Sequence, residues 1–357
     1  MARAIERGSA ASVRPGEELD LAKIDAWLKT AVPGLAGLPE VTQYSGGASN
    51  WTYRLHYDSH DLVLRRPPAG TKAKSAHDMS REYRIQKALK PSFPRVPEMV
   101  AFCEDASVIG CEFYVMQRLD GIILRKNAPE DFALTPERTR QLCLNVMDTM
   151  IGLHRVDAAA AGLETFGKGA GYARRQIEGW SDRYRKARTW NVPRFEGVMR
   201  WLNAHTPDDV ATCVIHNDFR FDNVVLDPKE RTRIIGVLDW EMATLGDPLM
   251  DLGNALAYWV QADDDFFLRS LRRQPTHLPG MLTRREVVEY YAQETGRRTN
   301  NWAFYEVYGL FRLAVIAQQI YYRYQQGQTR NPAFRNFWMF VTYLGWRCGR
   351  MIRRSKT

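Results

Sequence analysis

The segment Val214-Ile-His-Asn-Asp-Phe-Arg-Phe-Asp-Asn-Val-Val-Leu226 constrains this chain more than any other. Two short apolar runs, each reading as a buried strand, enclose His216, Asp218, Arg220 and Asn223. A second carboxylate, Asp239, follows the next apolar run, and Glu241 comes two residues later. Ionised groups beside buried strands are costly unless a charged ligand, such as a metal with phosphate, balances them. The fold must therefore carry strands up to a polar site, and the spacing of the polar residues restricts the chemistry.

Asp218 and Asn223 lie five residues apart across a loop, so both can converge on one place. Asn and Asp oxygens are hard ligands suited to Mg²⁺, which keeps waters and borrows phosphate oxygens. A third carboxylate free of the metal can orient a hydroxyl and accept its proton. This division of labour is that of phosphoryl transfer from a magnesium-bound nucleotide.

The rest of the chain sets bounds. Its 357 residues suit two lobes, and 45% hydrophobic with 25% charged residues is ordinary globular composition. Five scattered cysteines with no C-x-x-C pair indicate neither a zinc site nor a disulfide framework, and a reduced, cytoplasmic setting is expected. The first residues lack the apolar stretch of a signal peptide, and no run of about 18 apolar residues predicts a membrane span. The net charge is +9, and no Asp or Glu follows Glu306. That basic end reads either as a solvated tail or as an attraction for an anionic partner; no recognition motif for nucleic acid accompanies it.

Periodicity predicts a helix over Leu19–Val32, then strands over Glu40–Tyr44, Trp51–Tyr57 and Asp61–Arg66. A helix over Ser75–Leu89 and strands over Met99–Cys103 and Cys111–Gln117 follow. Beyond Asp120-Gly121 the pattern becomes helical: Pro136–Val156, Tyr172–Ala187, Pro193–His205, Arg284–Thr295 and Trp302–Gln326. The expected class is α+β, with an antiparallel N-terminal lobe over 1–118 and a larger, mainly helical lobe over 119–357.

His216-Asn-Asp218-x-x-x-x-Asn223 resembles the catalytic loop of protein kinases and of the aminoglycoside phosphotransferase-like kinases. Leu238-Asp-Trp-Glu241 and Gly246-Asp-Pro-Leu-Met-Asp251-Leu resemble two further motifs of the latter family. The similarity is greatest to the branch related to the kinase domain associated with acyl-CoA dehydrogenases. It implies a two-lobed protein-kinase-like fold, ATP and Mg²⁺ as cofactors, and a small-molecule hydroxyl acceptor.

Carried onto matching positions, the resemblance makes Asp218 the hydroxyl-orienting base and Arg220 a cation near the transferred phosphoryl group. Asn223 and Asp239 become the magnesium ligands. His216 and Asp251 become struts of the loop, and Glu241 is either near the metal or a strand-end carboxylate. The nucleotide would meet Gly46, Gly47, Ser49 and Asn50, then Arg65, Glu82 and the segment around Gln117 and Leu119. Arg65 stands where the family has lysine. Strand alternation puts only one of Arg65 and Arg66 inward, and Arg66 is the alternative. Asn217 stands where glycine is common, and Asn tolerates a left-handed backbone. The acceptor is expected to be a hydroxy acid or hydroxyacyl-CoA. An aminoglycoside, or a nucleotide-binding protein without turnover, is the alternative.

Overall fold

The computed structural model describes residues 10–44, 50–68, 78–129, 132 and 134–355. They form two compact units. The first holds the described residues up to Thr149 together with Ala159–Leu163 and Phe221–Ala243. The second holds Met150–Ala158, Glu164–Arg220 and the described residues from Thr244 onward. Where the sequence reading placed one lobe boundary at residue 118, these units interleave along the chain.

In the first unit, β1 (Ala10–Ala11), β2 (Glu40–Tyr44), β3 (Trp51–His56), β4 (Asp61–Arg66), β5 (Met99–Cys103) and β6 (Phe113–Gln117) form one sheet, in the order β1-β2-β3-β4-β6-β5. Every neighbouring pair is antiparallel. One face, with Tyr53, Leu55, Leu62, Leu64, Phe113 and Val115, packs on Ile24 and Leu28 of α1 (Leu21–Ala31). The other, with Val63, Tyr114 and Met116, packs on Met79 of α2 (Met79–Leu89). Asp78 caps α2 by accepting from the Arg81 amide. The expected helix start at Ser75 lies outside the described residues.

The helix α3 (Pro136–His154) begins in this unit and β7 (Cys213–Ile215) belongs to the other. The hairpin of β8 (Val224–Leu226) and β9 (Ile234–Val237) belongs to the first unit. Its β9 strand is tied to the chain after α2 by the Val237 amide, which donates to the Arg95 carbonyl at 2.7 Å. A Cβ on Gly236 of β9 would force the end of the Leu119 side chain aside.

The second unit is helical. It contains α4 (Tyr172–Ala187), α5 (Glu196–Ala204), α6 (Pro248–Ala257), α7 (Phe266–Ser270), α8 (Arg284–Thr295), α9 (Trp302–Gln325) and α10 (Phe337–Arg354). β7 pairs antiparallel with β10 (Thr244–Gly246). Tyr305, Phe311 and Tyr321 of α9 are buried, so their helical spacing reflects core packing. Gly253 of α6 and Gly309 of α9 allow these helices to touch at the backbone: a Cβ on Gly253 would stand 2.6 Å from the Tyr305 carbonyl oxygen.

The basic end of the chain is not a solvated tail. It forms α10, which buries Val341, Leu344 and Cys348, and Arg347 pairs with Asp264 at 3.3 Å. No described helix is long and apolar enough to cross a membrane.

Candidate active site

Alternation along β4 decides the place of Arg65. Leu62, Leu64 and Arg66 share one face of the sheet, while Val63 and Arg65 share the face that α2 covers. The expectation that only one arginine points inward fails because both faces are covered. Arg65 and Arg66 are both buried, and Arg66 lies over the Trp51 ring at 5.4 Å.

Arg65 reaches two elements at once. Its Nη1 lies 3.1 Å from Glu82 Oε1 on α2, and its Nη2 lies 3.0 Å from Asp239 Oδ1 and 3.9 Å from Glu241 Oε2. Tyr114 donates its hydroxyl to Glu82 Oε1 at 2.8 Å, so the carboxylate is held from the sheet as well. Asn50 donates to Glu241 Oε2 at 3.2 Å. Burial works against the charge of Arg65. Glu82, Tyr114, Asp239 and Glu241 outweigh it and hold the guanidinium well above the ordinary arginine value. Burial pushes the Glu82 carboxyl up, against the pull of Arg65.

The hairpin brings Asn223 and Asp239 together. Val224 pairs with Val237, and the Leu238 amide donates to the Asn223 carbonyl at 2.8 Å, so both residues sit at one end of β8 and β9. Asp239 has φ +68°, a left-handed conformation unusual for a non-glycine residue, and its side chain is 34% exposed. Mg²⁺ accepts so few protein donors when water and phosphate oxygens complete its shell. The buried Arg65 Nε and Glu82 Oε2 have no hydrogen-bond partner among the described residues. Two oxygen-bearing side chains beside a buried arginine with a spare N–H donor would fit a magnesium–phosphate group.

The part of the expected catalytic loop from His216 to Arg220 lies in the second unit. Asp251, fully buried on α6, accepts from the His216 amide at 2.8 Å and the Asn217 amide at 2.7 Å. His154 Nε2 lies 3.1 Å from the same carboxylate, and its Nδ1 hydrogen-bonds Tyr291. Burial alone would raise the Asp251 carboxyl, but His154 and His216 outweigh it and hold it below the ordinary aspartate range. Asp247 caps α6 ahead of Pro248, which fixes where that helix begins.

Asn217 has φ +65°. Its side-chain oxygen accepts from Tyr172 and from Asn254, both at 3.1 Å. His216 is buried, and its Nδ1 accepts from the Asp218 amide at 3.3 Å. The Asp218 carboxylate remains partly exposed and pairs with Arg220 Nη2 at 3.1 Å. Arg220 also lies over the Tyr258 ring at 4.8 Å. A braced backbone thus presents one accessible carboxylate beside a cation.

The remaining expected residues are distributed unevenly. Gly46, Gly47 and Ser49 lie outside the described residues. Gln117 ends β6 with an exposed side chain, and its amide donates to the Glu98 carbonyl at 2.8 Å. Leu119 packs toward Gly236. Tyr114, Tyr172 and Asn254 hold candidate site residues yet carry no sequence signal, because their partners lie 32 to 45 residues away.

Residues 40–287 match the phosphotransferase enzyme family. Acyl-CoA dehydrogenase family member 10 of Mus musculus is 35% identical over 334 residues, which are 90% of this chain and 31% of that protein. The chain therefore spans about a third of that relative's length. A solved structure of a candidate aminoglycoside phosphotransferase from Ralstonia eutropha is 31% identical, with TM-score 0.78, covering 93% of this chain and 99% of the other. Aminoglycoside phosphotransferase APH(4)-Ia, solved in a ternary complex with AMP-PNP and hygromycin B, has the same fold at TM-score 0.57 and 15% identity, covering 93% and 98%. The expected α+β, kinase-like fold is thus the one observed, and the chain belongs to the phosphotransferase enzyme family.

Proposed function

We propose that this chain is an ATP- and Mg²⁺-dependent phosphotransferase that moves the γ-phosphate to a hydroxyl of a small molecule. The observation that carries this reading is Arg65, a buried guanidinium fixed between Glu82 and Asp239. It joins the helix carboxylate and the hairpin carboxylate that such a reaction needs in register. Asn223 and Asp239 would hold the magnesium ion, and Arg65 would bind nucleotide phosphate oxygens. When bound, the ion neutralises charge on the phosphates and aligns them.

Asp218 orients the acceptor hydroxyl and takes its proton at the carboxylate oxygen. Arg220 keeps positive charge near the transferred group, where it stabilises the transition state. Asp251 and His154 hold the loop backbone so that the Asp218 geometry costs no reorganisation. The net charge of +9 favours an anionic acceptor, such as a hydroxy acid or hydroxyacyl-CoA, over a polycationic aminoglycoside. A nucleotide-binding role without turnover is favoured only by the direct Arg65–Asp239 pair, which a metal would have to share.

Asp218→Asn tests the assignment. Phosphoryl transfer should fall by at least about a hundredfold, the usual scale for a general base, while ATP affinity stays within about threefold. A variant with full activity removes Asp218 from the reaction.

A further inference from the structure

Arg312 lies in the middle of α9 and is only 3% exposed, yet it has no carboxylate partner and no hydrogen bond among the described residues. Its guanidinium instead lies over the Trp180 ring of α4 at 5.2 Å, and Arg183 lies over the same ring at 4.6 Å. Three half-buried arginines of this unit are compensated by carboxylates: Arg284 and Arg347 share Asp264, and Arg220 pairs with Asp218. A buried cation balanced only by an aromatic face is costly, and the attraction to an indole offsets a small part of that cost.

The groups around Arg312 are polar and buried as well. Tyr308, one turn earlier on α9, buries its hydroxyl beside Trp180 and Asn254, and Asn254 on α6 is buried too. Tyr308 lies beside Arg312, Trp180 and Asn254, and burial pushes its phenol up to about 12. Asn254 and Tyr172 both donate to the side chain of Asn217, the residue before Asp218. A continuous row of polar groups therefore leads from the catalytic loop to Arg312. Its inner end offers a guanidinium fork and a phenolic hydroxyl, both donors.

We propose that Arg312, with Tyr308, is the anion-recognition point of the acceptor site, so the hydroxyl-bearing substrate carries a carboxylate or phosphate group. The proposal rests on the phosphotransfer reading above and deepens it. A planar guanidinium accepts a carboxylate or phosphate through two parallel hydrogen bonds, which adds orientation to attraction. Closed off from bulk water, that pair acts at low dielectric and outweighs neutral contacts. It would hold the acceptor by its acidic end and leave its hydroxyl to Asp218.

The test measures ADP release with Mg²⁺ and ATP for β-hydroxybutyrate and γ-hydroxybutyrate, their primary amides, glycerol phosphate, and one aminoglycoside. The wild type should use an acid or the phosphate at least roughly thirtyfold more efficiently in kcat/KM than the neutral analogue, the scale for a desolvated charge pair. Arg312→Met should bring acid and amide within about threefold, chiefly through the KM of the acid, with ATP affinity unchanged; Arg312→Lys should recover part of the preference. Whether the hydroxybutyrates or glycerol phosphate show the Arg312-dependent preference identifies the acidic group. Should Arg312→Met fail to fold, Tyr308→Phe keeps the question open to measurement, with several-fold lower acid selectivity expected.

A folded Arg312→Met protein that keeps the acid preference overturns the proposal, as does a wild type that prefers amides or the aminoglycoside. So does the absence of both turnover and acid-dependent thermal stabilisation across the set. Loss of magnesium-dependent ATP binding would instead strike the underlying phosphotransfer reading, so the two failures are separable.

Discussion

Arg65 shows how one substitution reshapes a site without removing its logic. A lysine at this position would be a point charge, whereas the guanidinium spans Glu82 and Asp239 with separate nitrogens. Arg65→Lys should therefore keep one of the two pairs and weaken ATP binding by about tenfold; Arg65→Met should weaken it by at least about a hundredfold, as calorimetric titration would show. Sequence alternation could rank Arg65 against Arg66 but could not show that both are buried, because Arg66 is covered on the other face of the sheet, where it lies over Trp51. The polar cluster around Asp218 was legible because its residues are close in sequence. Arg312 was not, since nothing in a helical pattern tells a paired arginine from an unpaired one.

Asp251 carries a pH prediction at the same scale. Its folded carboxyl lies below the ordinary value of 3.8, so the native state holds it deprotonated where the unfolded chain begins to bind a proton. The stabilisation is fully present above that ordinary value and is lost as pH falls through the lower, folded one. Thermal unfolding followed from neutral to strongly acidic pH should show a steeper acid-side loss for the wild type than for Asp251→Asn, whose side chain does not titrate. Equal slopes would assign the acid sensitivity elsewhere.

At the scale of elements, the strands and most helices follow from periodicity and turn chemistry. β2 and β4 have the expected bounds, and α4 and α8 match residue for residue. Helix ends moved inward where caps decide, as at Asp20 for α1. α10 was hidden by its charge. Five arginines over its last turns and flanks drew the eye from Val341, Leu344 and Cys348, which recur at helical spacing on its buried face. α6 was hidden inside a motif, although Asp247 and Pro248 are standard helix-start signals. The contact of α6 with α9 depends on Gly253. Gly253→Ala should lower stability by about 1–3 kcal/mol, read from a urea midpoint, because the added methyl meets the Tyr305 backbone.

For the whole molecule, the division of labour between units carries the account. One unit gathers the groups expected to meet nucleotide and metal: Arg65, Glu82, Asn223 and Asp239. The other braces Asp218 and Arg220 and holds the unpaired Arg312. The donor half of the reaction was legible in the sequence because its motifs are short and contiguous. The groups proposed for the acceptor were not, because they lie on three helices distant in sequence.

The most direct test of the central claim is the thermal stability of the protein with saturating ATP, measured with Mg²⁺ and with a chelator. Binding to the native state alone should stabilise by about 2.7 kcal/mol at a hundredfold excess over Kd. Tm should rise clearly with ATP and Mg²⁺ and much less with chelator, and the difference should vanish in Asp239→Ala. No rise, or a rise of equal size without metal, would contradict the claim.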